Sequence, residues 1–196
     1  METLKEDCQT LFSNRNDKAG DFWKILDEQI PDCKCEQVSV SSLSPCPIKP
    51  SEELVSIIPH EKYVNLSTNK VKTNIADRLQ NGLSVDRIRY TNKSNLEKNA
   101  QDITSRDTNM SFLGVFTFST SKLRNICRDN HRCYAVYDTA LSDNISHAEV
   151  IQTNYPNEEN LTKNEKKEIR RDIRKLITGA LGHDGKMVSL EEIFNK

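Results

Sequence analysis

Leu83-Ser84-Val85-Asp86-Arg87 and Asp143-Asn144-Ile145-Ser146-His147-Ala148-Glu149-Val150 are the two stretches on which the reading of this chain turns. Each sets charged or proton-transferring groups at the edge of an apolar run of strand length. Working outward, Val55-Ser56-Ile57-Ile58, Tyr63-Val64-Asn65-Leu66, Phe112 to Phe118, Cys133 to Tyr137 and Ala148 to Ile151 predict further short strands. Helical spacing lies between them. Phe22, Trp23, Leu26 and Ile30 share one face, which predicts a helix over 17–30 stopped by Pro31. Val71, Ile75 and Leu79 predict a helix over 69–80, ended by Asn81-Gly82. Ser94 with Glu97, Thr162 with Glu165, and Ser189 with Glu192 have the spacing of capping boxes. Ser119-Thr120 predicts the start of a helix carrying Leu123 and Ile126. The clearest helix is 163–181, with Ile169, Ile173, Leu176, Ile177 and Leu181 as its apolar stripe and Gly182 as its end.

Strands and helices interleave, so the expected class is α+β: a small mixed sheet with flanking helices and an N-terminal helical arm. The expected organisation is an N-terminal helix and Cys/Ser/Pro-rich arm over 1–50, an α+β core over 51–182 and a short C-terminal helix over 183–196. A chain of 196 residues, 35% hydrophobic, suffices for one sizeable core. Its 28 basic and 29 acidic side chains argue against a generic nucleic-acid coat or an acidic tail, while leaving room for a local basic face. No apolar run approaches the roughly 20 residues that cross a bilayer. The charged start, Met1 to Asp7, has no apolar signal core. No membrane association and a cytoplasmic location are therefore expected, with the six cysteines as thiols or metal ligands.

The candidate chemistry follows from residue type and position. Arg87 at a strand end could hold a phosphate or carboxylate, with Asp86 orienting a base; an ordinary paired surface turn competes with that reading. His147 is the natural proton-transfer group, with Asp138, Asp143 and Glu149 as neighbours that could orient it, and a backbone-bonded turn histidine is the alternative. A zinc site would draw on Cys33, Cys35 and Cys46, with Cys8, but the spacing is not that of paired zinc ligands, so no metal or other cofactor is expected. Cys127 or Cys133 could be a nucleophile if Arg128, His131 and Arg132 lower a thiol pKa. Arg170, Arg171 and Arg174 lie on the polar side of the helix 163–181, where a phosphate backbone could run; interleaved Glu165, Glu168 and Asp172 favour a solvated face. No complete phosphate loop, nucleophile elbow or dinucleotide fingerprint is present.

The segment from about Pro59 to Ile151 resembles a family of small uncharacterised bacterial proteins with no established activity. The likeness rests on Gly82-Leu83-Ser84-Val85-Asp86-Arg87 and Asp143-Asn144-Ile145-Ser146-His147-Ala148. The family's second motif usually reads Asp-Asn-Pro-x-His-Ala, and Ile145 replaces that proline here. The resemblance implies that Asp86, Arg87, Asn144 and His147 belong to one site or one structural corner.

Two functional readings follow. In one, the chain is an intracellular bacterial interaction module whose sheet is scaffold and whose N-terminal arm and helix 163–181 dock a protein partner. Ser84, Asn144, Arg170, Arg171 and Arg174 are its candidate binding residues, and an apolar face on 17–30 without an internal partner would mark a docking helix. An accessory or effector role in toxin/immunity or anti-phage defence is compatible with it by loose analogy. In the other, it is an enzyme acting on RNA or a nucleotide, with His147 as general acid/base, Arg87 as anion stabiliser and Asp86 orienting one of them. The catalytic reading requires the Arg87 and His147 side chains to converge on one open pocket.

Overall fold

The computed structural model describes residues 2–16, 22–78, 82–153 and 161–195. In chain order the helices and strands are α1 (Glu2–Ser13), α2 (Phe22–Gln29), β1 (Glu53–Ile58), β2 (Val64–Asn65), β3 (Lys70–Val71), β4 (Leu83–Arg87), α3 (Lys93–Thr104), β5 (Gly114–Ser119), α4 (Thr120–Arg124), β6 (Cys127–Arg128), β7 (His131–Arg132), β8 (Tyr134–Tyr137), β9 (His147–Gln152), α5 (Lys163–Leu176) and α6 (Leu190–Phe194). Short 3₁₀ turns punctuate them. Five strands form one sheet in the order β5-β1-β4-β9-β8, and β2-β3 and β6-β7 are two-stranded ribbons. The class is α+β, with flanking helices and an N-terminal helical arm. Every pairing in the main sheet is antiparallel rather than mixed. Interleaved helices do not set strand direction; here they are satellites on the faces, not crossovers between parallel neighbours. Among the described residues no helix is long and apolar enough to cross a membrane.

The register sorts the side chains between two faces, because residues opposite one another in a ladder point the same way. Leu54, Ile58, Leu83, Val85, Phe116, Phe118, Val136 and Val150 occupy the first face. Leu123 of α4 and Ile173 of α5 close over it, and the Tyr134 hydroxyl donates to the Ile173 carbonyl at 2.8 Å. Two separate clusters cover the second face. At the β5–β1 side, Val55, Ile57 and Val115 pack under Leu96 and Ala100 of α3 and Leu190 of α6. At the β8–β9 side, Ala135, Tyr137 and Ile151 pack under Cys8 of α1 and Phe22, Trp23 and Leu26 of α2. The polar residues of β4 and β9 lie between these two lids.

Several local expectations change. α1 follows from Leu4, Cys8, Leu11 and Phe12, an i, i+4, i+7, i+8 spacing overlooked among the surrounding charges. The helix over 17–30 is α2 in its described part, and residues 17–21 lie outside the described residues. The helix over 69–80 is replaced by β3 and a 3₁₀ turn over Thr73–Arg78, because Val71 pairs with Val64; Leu79 and Asn81 lie outside the described residues. Asn92, not Ser94, caps α3, accepting from the Asn95 N–H at 2.9 Å. The boxes at Thr162–Glu165 and Ser189–Glu192 close as read. Cys8 and Cys35 form a disulfide, which corrects the expectation of six thiols. α1 stacks on the arm and brings two distant cysteines together.

Candidate functional site

The two motifs meet because β4 and β9 are neighbours at the centre of the sheet, with Asp86 opposite His147. Asp86 is 6% exposed, and a buried carboxylate needs donors. One oxygen accepts from Asn144 Nδ2 at 2.7 Å and Ser146 Oγ at 2.8 Å. The other receives only the longer 3.4 Å contact from Asn99 Nδ2 of α3. The Asn144-Ile145-Ser146 turn is held from within by Asn144 Oδ1, which accepts from the Ser146 N–H and shares the one Ser146 hydroxyl hydrogen with Asp86. The Arg87 N–H donates to the Ser146 carbonyl at 2.9 Å. Asp86, Asn144 and His147 thus form one corner.

The Arg87 side chain does not join them. Strand alternation sends it to the first face, where it is fully buried. Its guanidinium grips Glu52 through two 2.8 Å bonds, donates to the Cys46 carbonyl at 2.8 Å, and lies 3.3 Å from Asp138. Tyr90 stacks on it at 4.5 Å. Burial opposes its charge, but the Glu52 and Cys46 contacts outweigh that and hold its pKa above the ordinary arginine value. Burial likewise pushes against Glu52, yet Arg87 and the Lys49 N–H keep that carboxyl below its usual range. Asp138 loses the competition for the shared cation. Burial lifts its pKa to about 6 despite Arg87. Arg87 is enclosed by these partners and faces away from the groups on the second face.

His147 is half-buried on the second face. Its Nδ1 lies 3.0 Å from the Thr139 carbonyl and 2.9 Å from the Thr139 hydroxyl. A protonated Nδ1 donates to the carbonyl and an unprotonated one accepts from the hydroxyl, so Thr139 orients the ring in either tautomer. Next along β9, Glu149 pairs with Arg15 at the end of α1. Ser84 is exposed although β4 is a central strand, which shows that the floor between the two lids is open. Two cavities use this floor. One of about 220 Å³ is lined by Ser84, Asp86, Asn99, Asp102, Arg106 and Asp143, among others. One of about 500 Å³ is lined by Arg15, Ser41, Thr139 and Glu149, among others. His147 and Leu141 line both, so the cavities adjoin as one trench. Leu141 stands at its rim, 46% exposed.

The remaining candidates are placed elsewhere. Arg170, Arg171 and Arg174 lie on α5, which packs over the first face, and Arg171 pairs with Glu168 at 3.4 Å. Cys35 is in the disulfide, and Cys46 lies 3.2 Å from the Tyr90 hydroxyl. Among the described residues no group of three or more His, Cys, Asp or Glu is placed to hold a metal ion. Burial pushes the Cys133 thiol up to about 11, outweighing Arg128, so the nearby cations do not lower that thiol's pKa and the alternative of a buried thiol fits it. The Phe22–Leu26 face, which would mark a docking helix if left uncovered, is buried against the sheet. Of the neighbours expected for His147, Glu149 lies on the same face of β9. Asn99 and Arg15 are not legible in the sequence, because they come from elements whose placement no local pattern reveals. Compared with models of known protein families, with curated proteins and with solved structures, the chain has no significant match.

Proposed function

We propose that this chain is a recognition module that accepts an extended segment of a partner protein in the trench across β4 and β9. One observation carries the reading: Arg87 and His147 emerge on opposite faces of the sheet, so an open, polar and partly apolar-rimmed groove remains without its presumed anion stabiliser. An enzyme of RNA or nucleotide phosphates would need cations facing the transferred group. The smaller cavity instead sets one guanidinium, Arg106, among the carboxylates of Asp86, Asp102 and Asp143. Its volume of about 220 Å³ suits a single side chain. Charge, not size, disfavours a nucleotide, since the adjoining cavity of about 500 Å³ is of ordinary small-ligand size. Leu141 adds apolar area at the rim, as docking surfaces do.

The test has two arms. Purified protein is incubated with RNA and with nucleoside phosphates, alongside His147→Ala. A photo-crosslinking residue is then placed at Leu141 and, as control, at Leu66 in the β2–β3 turn. The expected result is no His147-dependent turnover, with a discrete partner segment cross-linked from Leu141 and not from Leu66. Hydrolysis that disappears in His147→Ala, or equal labelling at both positions, overturns the proposal.

A further inference from the structure

Resting on that reading, we infer that the 220 Å³ cavity is a specificity pocket for a cationic side chain, the Lys or Arg of a partner's extended segment. The floor is the buried carboxylate of Asp86. Asn144 and Ser146 saturate one of its oxygens, while the other receives a single long contact from Asn99 and retains acceptor capacity toward the cavity. The walls add Asp102 from α3 and Asp143 from the turn before β9. Neither has an ion-pair partner among the described residues. Arg106 is the only cation among the lining residues. The field inside therefore favours a positive group, and a partly desolvated carboxylate gives a charge-assisted hydrogen bond its full strength.

The shape agrees with the charge. Ile57 and Ile103 line the same cavity, and Leu141 borders it, so a ligand's aliphatic stem meets apolar wall while its head reaches Asp86. Long cationic side chains have that two-part character. The exposed Ser84 hydroxyl on the floor offers a further acceptor beside the carboxylate. The adjoining 500 Å³ cavity beyond His147 holds the Arg15–Glu149 pair, an internally balanced charge; the selectivity for a cation belongs to the smaller cavity.

The experiment is a titration of ¹⁵N-labelled protein with an acetylated, amidated Ala-Leu-Arg-Leu-Ala peptide. It is repeated with citrulline and with glutamate in place of the arginine, and with free arginine amide. Citrulline keeps the shape and removes the charge. The expected result is shifts centred on Ser84, Asp86, Asn99 and His147, with binding at least about tenfold weaker for citrulline and absent for glutamate. Asp102→Asn weakens the arginine peptide severalfold, and Ser84→Arg, which supplies its own guanidinium, abolishes binding. Glu61→Gln, on a distant 3₁₀ turn, leaves it unchanged. Asp86→Asn abolishes binding, and preserved amide dispersion shows that the corner still folds. Equal binding of the three peptides at the trench overturns the cation assignment and leaves the recognition reading standing. Equally tight binding of free arginine amide overturns the assignment to a partner segment. No shifts at the trench with any peptide removes both.

Discussion

Arg87 shows how one side chain can look functional in sequence and be structural in the fold. A guanidinium on a central strand, fully buried, is tolerated because Glu52 and Asp138 balance it and the Cys46 carbonyl takes another donor. Arg87→Met leaves two buried carboxylates without a cation and should lower stability by about 3–5 kcal/mol, measured by chemical denaturation. Asp138 yields a pH prediction. Its folded pKa is raised from 3.8 to about 6, so its contribution to stability is fully present below about pH 4 and is lost as the pH rises to about 6. The decline amounts to about 2–3 kcal/mol on the scale set by the shift. In Asp138→Asn that slope between pH 4 and 6 should vanish. Glu52 acts in the opposite sense, since its depressed pKa gives stability that fades as the pH falls through its folded value. Asp86 itself was legible as a corner residue. The two motifs grouped it with Asn144, but residue spacing gave no sign that Asn144 and Ser146 would be its hydrogen-bond donors.

Among the elements, those with strong chemical punctuation were the most legible. The box of Thr162 with Glu165 starts α5 through hydrogen bonds in both directions. Thr162→Ala should cost about 1 kcal/mol and fray the first turn of α5, read by hydrogen exchange at Lys166. Gly182 was read as a helix stop, yet its main restraint is space. A Cβ there would meet Thr117 Oγ1 at 2.1 Å, because the Gly182 N–H docks on the Thr117 carbonyl of β5. Gly182→Ala should therefore destabilise by about 1–3 kcal/mol through displacement of the strand, not through backbone conformation. The expected helix over 69–80 failed for a related reason. Val71 and Ile75 are both core residues, as their spacing suggested, but the ladder to Val64 set the backbone of Val71. Periodicity reports which residues are buried better than it reports which hydrogen bonds bury them.

At the scale of the whole molecule, the second face of the sheet is roofed in two pieces, and the disulfide fastens one of them. Cys8 and Cys35 are 27 residues apart in sequence, so the link should contribute about 3 kcal/mol by restricting the unfolded chain. Cys35→Ser should lower the denaturation midpoint accordingly. It should also loosen α1, seen as faster exchange near Arg15 and Glu149, while the β5–β1 side stays protected. Composition and hydrophobic period alone determined the α+β class, most strand positions, the capped helices and the two motifs worth watching, because these depend on neighbours a few residues away. Strand order, the antiparallel pairing, the Cys8–Cys35 link and the partners of Asp86 and Arg87 on their two faces were decided by tertiary structure. Each depends on which distant segments lie side by side, and in a pleated sheet a step of one residue separates an enclosed ion pair from the floor of an open trench.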